Sequence, residues 1–221
     1  LDGILRHRDP GHVPAIERSA KAAWDDLEAD EAAPWCFKDH AACLPRAHRL
    51  AEEVRQRAPG LCTGHFLRAV VDAELDTTKA LEDLEKAIDA VDDRTACQRQ
   101  LVTLAVARGD DIRATRALDR LSRMGCSVSA QCVDNLVFAA QVEEGRGSLR
   151  RALGYYRKAR ERAPERNELT ARVGELASAV GLHAEALDAY QTLAKRLPGE
   201  PQWELAAARE RTTLAGEMLK R

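Results

Sequence analysis

Apolar residues along this chain recur every three or four positions rather than in alternation, a pattern that predicts helices from end to end. Residues 14–31 carry Ile16, Ala20, Ala23, Trp24 and Leu27 on one stripe, and Pro34 ends that helix. The stretch from Trp35 to Cys43 is too long for a tight turn and reads as a loop or short helix. A second helix has Pro45 in its first turn and runs through Ala47, Leu50, Ala51 and Val54 to Pro59. Phe66, Leu67, Val70 and Val71 mark a third. Thr77 or Thr78 is expected to cap a fourth, whose inner face is Ala80, Leu81, Leu84, Ala87, Ile88 and Val91.

The same punctuation continues. A helix from Arg94 to Ala107 is followed by one capped at Asp110 or Asp111 that reaches Met124, with Gly125 as its stop. Ser127 or Ser129 begins a helix through Val133, Leu136, Val137, Ala140 and Val142. The segment Glu144-Gly-Arg-Gly-Ser148 reads as an enlarged turn with Ser148 capping the next helix. Residues 165–180 and 183–197 form a pair about Gly181, and residues 200–221 form a terminal helix with Trp203 packed near its start.

These elements repeat. The segment Leu153-Gly-Tyr-Tyr-Arg-Lys-Ala-Arg-Glu-Arg-Ala-Pro164 returns 34 residues later as Leu187-Asp-Ala-Tyr-Gln-Thr-Leu-Ala-Lys-Arg-Leu-Pro198. Ala152, Tyr156, Ala159 and Pro164 fall on Ala186, Tyr190, Leu193 and Pro198. A fixed period of this size predicts stacked helical hairpins, none able to bury its own apolar face alone. Starts near 27, 61, 95, 133 and 167 give about five pairs and a capping helix. The chain therefore reads as one all-α domain over residues 1–221: a divergent hairpin at 12–60, regular repeats at 61–200 and a cap at 201–221.

The repeat resembles the tetratricopeptide family, most clearly over residues 133–200. Val173 and Gly174 occupy the Leu-Gly positions of that family's first helix, and Ala186, Tyr190, Leu193 and Pro198 its small, aromatic, small and Pro positions. The unit at Leu61 matches through Leu67, Ala80, Leu84 and Ala87, and the next through Leu101, Ala114, Leu118 and Leu121. The resemblance implies a right-handed superhelical solenoid whose first helices line a concave, partner-binding groove. Carried over residue by residue, the groove positions are His65 and Asp72, Arg99 and Thr103, Gln141 and Glu144, and Glu168 and Glu175. A protein or peptide is the partner this implies.

On such a solenoid the six cysteines fall into three neighbouring pairs: Cys36 with Cys43, Cys62 with Cys97, and Cys126 with Cys132. Counting alone allows 15 connectivities, so the pairing rests on the solenoid register. An even set of cysteines in a helical repeat that needs no staples favours disulfides in an oxidising compartment over buried free thiols. A metal-binding or redox reading of Cys36, His40 and Cys43 competes with this, because thiolates and an imidazole suit zinc. It finds no fourth ligand nearby, so no metal or other cofactor is expected.

Composition narrows the function further. Aromatic residues make up 4% of the chain, which fits small-residue helix packing. Charged residues reach 32%, yet the net charge is −2, which gives no pull toward nucleic acid or anionic membrane. Acid gathers at 72–93 (Glu74, Asp76, Glu82, Asp83, Glu85, Asp89, Asp92) and base at 150–166 (Arg150, Arg151, Arg157, Lys158, Arg160, Arg162). These read first as solvated faces laced by pairs such as Glu161 with Lys158 or Arg157, and second as a basic helix that docks an acidic partner or nucleic acid; the complementary halves also permit head-to-tail self-association. The triplet His7-Arg8-Asp9 has none of the kinase elements that would give it meaning, His12 and His183 read as surface or turn residues, and no phosphate loop, nucleophile elbow or zinc-protease motif occurs.

The sequence thus points away from an enzyme. It favours a protein-interaction scaffold in an extracytoplasmic space, periplasmic or secreted, that assists assembly of a multiprotein complex. The chain opens at Leu1 rather than Met, so an upstream segment is expected, one that could tether the protein to a membrane directly or through a lipid. The alternatives are the extracytoplasmic sensor part of a longer membrane protein and the metal or redox carrier.

Overall fold

The computed structural model describes residues 40–219 apart from positions 74, 93 and 128, and of residues 40–44, 46, 47 and 129 the backbone alone. The helix expected at 14–31, the Cys36–Cys43 pair, His7 and His12 lie outside the described residues. Among those described there is no strand. Ten helices follow one another: α1 (His40–Arg57), α2 (Cys62–Asp72), α3 (Thr77–Ile88), α4 (Arg94–Ala107), α5 (Asp111–Leu121), α6 (Ser129–Gly145), α7 (Leu149–Arg162), α8 (Asn167–Ala179), α9 (His183–Arg196) and α10 (Pro201–Met218). Within each unit successive helices pack on one another, as the tetratricopeptide resemblance implies. The chain divides into two compact units, parted between Asp119 and Arg120.

In the first unit, Leu50, Ala51 and Val54 of α1 meet Leu67 of α2 in one buried cluster. Helix α3 buries Ala80, Leu81, Leu84, Ala87 and Ile88, a stripe at i, i+1, i+4, i+7 and i+8 that only a helix keeps on one face. Each fully buried leucine or isoleucine there contributes about 1.5–3 kcal/mol over its exposed state. Helix α4 turns Cys97, Leu101, Val102, Leu104 and Ala105 inward. Gln98 is buried with them and donates from Nε2 to the Ala117 carbonyl of α5 at 3.0 Å.

The second unit is built the same way from small residues and tyrosines. Ala152, Leu153, Tyr155, Tyr156 and Ala159 are buried on α7, and Ala186, Ala189, Tyr190 and Leu193 on α9. Gly174 sits where a Cβ would lie 2.7 Å from Cε1 of Tyr190, so only glycine lets α9 come this close to α8. Here the physical content of the Leu-Gly and aromatic motif positions is visible as one contact. The Tyr190 ring then stacks on Trp203 of α10, with centroids 6.2 Å apart.

Several boundaries differ from those the sequence predicts. Residues 40–43 are helical, so α1 begins before Pro45, which lies inside the helix rather than in its first turn. The cap of α3 is Asp76, not Thr77 or Thr78; its carboxylate accepts from the Lys79 amide at 3.0 Å, and a charged acceptor serves the helix start better than a hydroxyl. The enlarged turn at 144–148 does not exist. Helix α6 runs through Gly145, and the turn closes on Gly147, whose φ of 73° is open to glycine at little cost. Ser148 stands at the cap position of α7 without a side-chain cap bond.

Candidate functional site

The groove residues read from the sequence separate into three places. On α6, Asp134, Val137, Gln141 and Glu144 lie at helical spacing on one stripe. On α8, Glu168, Arg172 and Glu175 do the same at i, i+4 and i+7. The two stripes meet at Arg172, whose guanidinium donates to Glu144 of α6 and to Glu175 of its own helix. The Arg172 guanidinium lies 5.9 Å from the centroid of the Tyr156 ring of α7, and the Tyr156 hydroxyl donates to Glu144 at 3.2 Å. Glu144 and Glu175 are thus brought together by a residue that the sequence analysis passed over. The i, i+3 spacing of Arg172 and Glu175 was the available signal.

The chemistry of this face follows from these contacts. The hydrogen bond with Glu144 raises the Arg172 pKa, so the guanidinium is permanently charged. Burial pushes the Tyr156 phenol up, which keeps it neutral and able to donate. Glu168 pairs with Arg166 at 2.6 Å, and Arg166 also lies 3.9 Å from Asp134, a second α6–α8 tie. The Arg166 pairing holds the Glu168 carboxyl below its ordinary range. Gln141 is exposed between the ties and Val137 is half-buried beneath them. Asp134, Glu144, Glu168 and Glu175 outnumber Arg166 and Arg172, leaving the face acidic.

His65 and Asp72 of α2 go elsewhere. With Arg55, Arg68, Ala69, Ala80, Asp83 and Leu84 they line a cleft of about 190 Å³ bounded by α1, α2 and α3. Arg68 donates to Asp72 at 3.2 Å and to Glu52 at 2.7 Å, Arg55 donates to Glu52 at 2.9 Å, and His48 Nε2 lies 3.6 Å from Asp72. Arg55 above all holds the Glu52 carboxyl down at about 2. Burial lowers the His65 pKa and favours the neutral ring. Here acid and base are matched within the cluster. On α4, half-buried Arg99 and exposed Thr103 make a local bond, the Thr103 hydroxyl donating to the Arg99 carbonyl at 3.1 Å.

The basic helix α7 is also tied internally. Arg157 pairs with Glu185 of α9, with Nε at 2.7 Å, and not with Glu161 as its helical spacing suggests. Lys158 lies 5.6 Å from the Tyr155 ring centroid.

Two disulfides are present among the described residues. Cys62 of α2 is joined to Cys97 of α4, and Cys126, which precedes α6, to Cys132 of α6. Among the described residues, no three His, Cys, Asp or Glu side chains gather at metal-binding spacing. Cys36 and the side chains of His40 and Cys43 lie outside them. No helix among the described residues is long and apolar enough to cross a membrane.

No protein-family model matches the chain, and no curated protein matches it in sequence. Solved structures do align with it. YrrB, described as a TPR protein with an unusual peptide-binding site, shares 14% identity over 96% of this chain and 98% of its own, with a TM-score of 0.46. PilF of Pseudomonas aeruginosa shares 14% over 94% of this chain and 92% of its own, with a TM-score of 0.49. MamA shares 15% over 83% of this chain and 98% of its own, with a TM-score of 0.44. The functional reading rests on the chain's own residues.

Proposed function

We propose that this protein is a non-catalytic scaffold that holds a segment of a partner protein on the α6–α8 face. The observation that carries the proposal is Arg172, held between Glu144 and Glu175 from two different helices over the Tyr156 ring. This arrangement fixes two carboxylates on one face, and the acid left over favours a segment bearing lysine or arginine. Gln141 offers an amide to that segment's backbone and Val137 an apolar contact, the term that supplies most affinity at such surfaces.

The scaffold is proposed to work in an oxidising, extracytoplasmic space, periplasmic or secreted, where it assists assembly of a multiprotein complex. The Cys62–Cys97 and Cys126–Cys132 bonds support that setting, since disulfides persist there and are rare in the cytosol.

Short labelled peptides that alternate basic and apolar residues test the face by fluorescence anisotropy. The expected result is binding that Glu175→Lys weakens about tenfold, or about 1.4 kcal/mol, while Asp72→Lys leaves it unchanged. Unaltered affinity in both Glu175→Lys and Gln141→Ala would remove the α6–α8 face from consideration. Thiol labelling of protein taken from its native cells tests the compartment, and free Cys62, Cys97, Cys126 and Cys132 would refute it.

A further inference from the structure

Among the described residues, helix α10 is packed on one side only. Ala207 and Glu210 are buried against its unit, and Trp203, Ala206 and Leu214 are half-buried beside them. The opposite side carries Leu205, 55% exposed, together with exposed Ala208 and Thr212. Their i, i+3, i+7 spacing is that of a helix-packing seam. Glu204 and Arg211 flank the seam on one edge. Both are exposed, and neither has an ion-pair partner among the described residues. They also border a trough of about 550 Å³ between α9 and α10, lined by Gln191, Ala194, Lys195, Glu204, Ala207 and Arg211.

This edge is self-complementary. Arg211 lies seven positions after Glu204, about 10.5 Å along the axis. A two-fold axis midway between them brings each Glu204 opposite the other copy's Arg211. A parallel pairing would set glutamate on glutamate and arginine on arginine. The axis falls beside exposed Ala208, whose small side chain permits the 8–10 Å approach of packed helices. In the same register Leu205 enters the space between the other copy's Ala208 and Thr212. An isologous contact of this kind is how most soluble dimers form.

We propose that α10 is a homodimer surface on which a second copy of this chain docks antiparallel, with Glu204 paired to Arg211 of the partner subunit and Leu205 buried across the two-fold axis. The surface is distinct from the α6–α8 face and independent of the function proposed for it. A single helix pair buries less than a standard interface, so the dimer is a weak one that forms at high protein concentration.

Light scattering and sedimentation equilibrium of the full chain in about 50 mM salt, from about 2 to about 400 µM, test this over the range where weak dimers populate. The mass is expected to double from 24.4 kDa across the series. Leu205→Glu and Glu204→Arg should each abolish the rise, the latter by setting arginine on arginine twice. The double variant Glu204→Arg with Arg211→Glu should restore it. All these positions are exposed, and matching unfolding midpoints confirm that the variants fold. A mass of 24.4 kDa throughout, a dimer that survives both single substitutions, or a double variant that stays monomeric would each overturn the proposal.

Discussion

Hairpins α2–α3 and α8–α9 follow one register, in which Arg68 stands where α8 has Gly174 and Leu84 where α9 has Tyr190. In the second hairpin the Tyr190 ring fills the room that Gly174 leaves, and both residues are buried. In the first, a guanidinium occupies the glycine position and has to stay hydrated or paired. The seam therefore remains open as the cleft of about 190 Å³, and Glu52 and Asp72 are drawn to its cation. One exchange of glycine for arginine thus changes what the first helix has left to offer. His65 and Asp72 are engaged within the cleft, whereas Glu175 of α8 stays exposed beside Arg172.

The comparison can be broken first at its covalent support. The open hairpin is tied to α4 by Cys62–Cys97, which closes a loop of 35 residues. Replacing both cysteines by alanine should cost about 3–4 kcal/mol by the loop-entropy relation, read from urea unfolding. In hydrogen exchange the loss of protection should concentrate in α2 and α4, and an even loss through α8 and α9 would contradict the idea that the open hairpin leans on the bond. A smaller effect is expected at the closed seam. Gly174→Val places a branched side chain against the Tyr190 ring and should cost about 2–3 kcal/mol, while Arg68→Ala at the matching position should cost under about 1 kcal/mol. Equal penalties from the same measurement would mean that the two seams are packed alike.

A pH-dependent effect concerns Glu52, whose pKa falls from an ordinary 4.5 to about 2 beside Arg55. A carboxyl with a depressed folded-state pKa stabilises the fold fully above 4.5, and that contribution disappears as pH falls through about 2. The partner arginines are 38% exposed, so solvent screening reduces the contribution to about 1–2 kcal/mol. Glu52→Gln should flatten the stability profile between those pH values. A profile identical to that of the parent would show that the cluster adds nothing to the hairpin.

Much of the fold was legible because it is written locally. The stripe of α3, the bounds of α4 and the stacking of Trp203 near the start of α10 follow from helical period and the 34-residue echo. The errors lie where two local signals compete. Asp76 displaces the adjacent threonines as cap because it brings a charge to the helix start, and α6 continues through Gly145 because Gly147 offers the turn. The candidate site was less legible, for its decisive contacts join residues far apart in sequence. Arg172 with Glu144 and Arg157 with Glu185 both span 28 residues. Spacing rules see Glu161 beside Arg157, but not the two-pronged geometry that Glu185 offers from the next hairpin.

Buried Glu210 has a consequence for how such an array can grow. Its carboxylate accepts from the Ser178 hydroxyl of α8 at 2.6 Å and meets His183 Nδ1 of α9 at 2.7 Å. One side chain of α10 thus completes the polar valences of the hairpin before it. Cutting or inserting between Leu197 and Pro201 would strip half-buried Ser178 and His183 of their shared carboxylate, whereas a further hairpin could be appended after Met218 without touching them. In recombination terms α8, α9 and α10 form one indivisible module of three helices, and the joint that tolerates exchange lies beyond it.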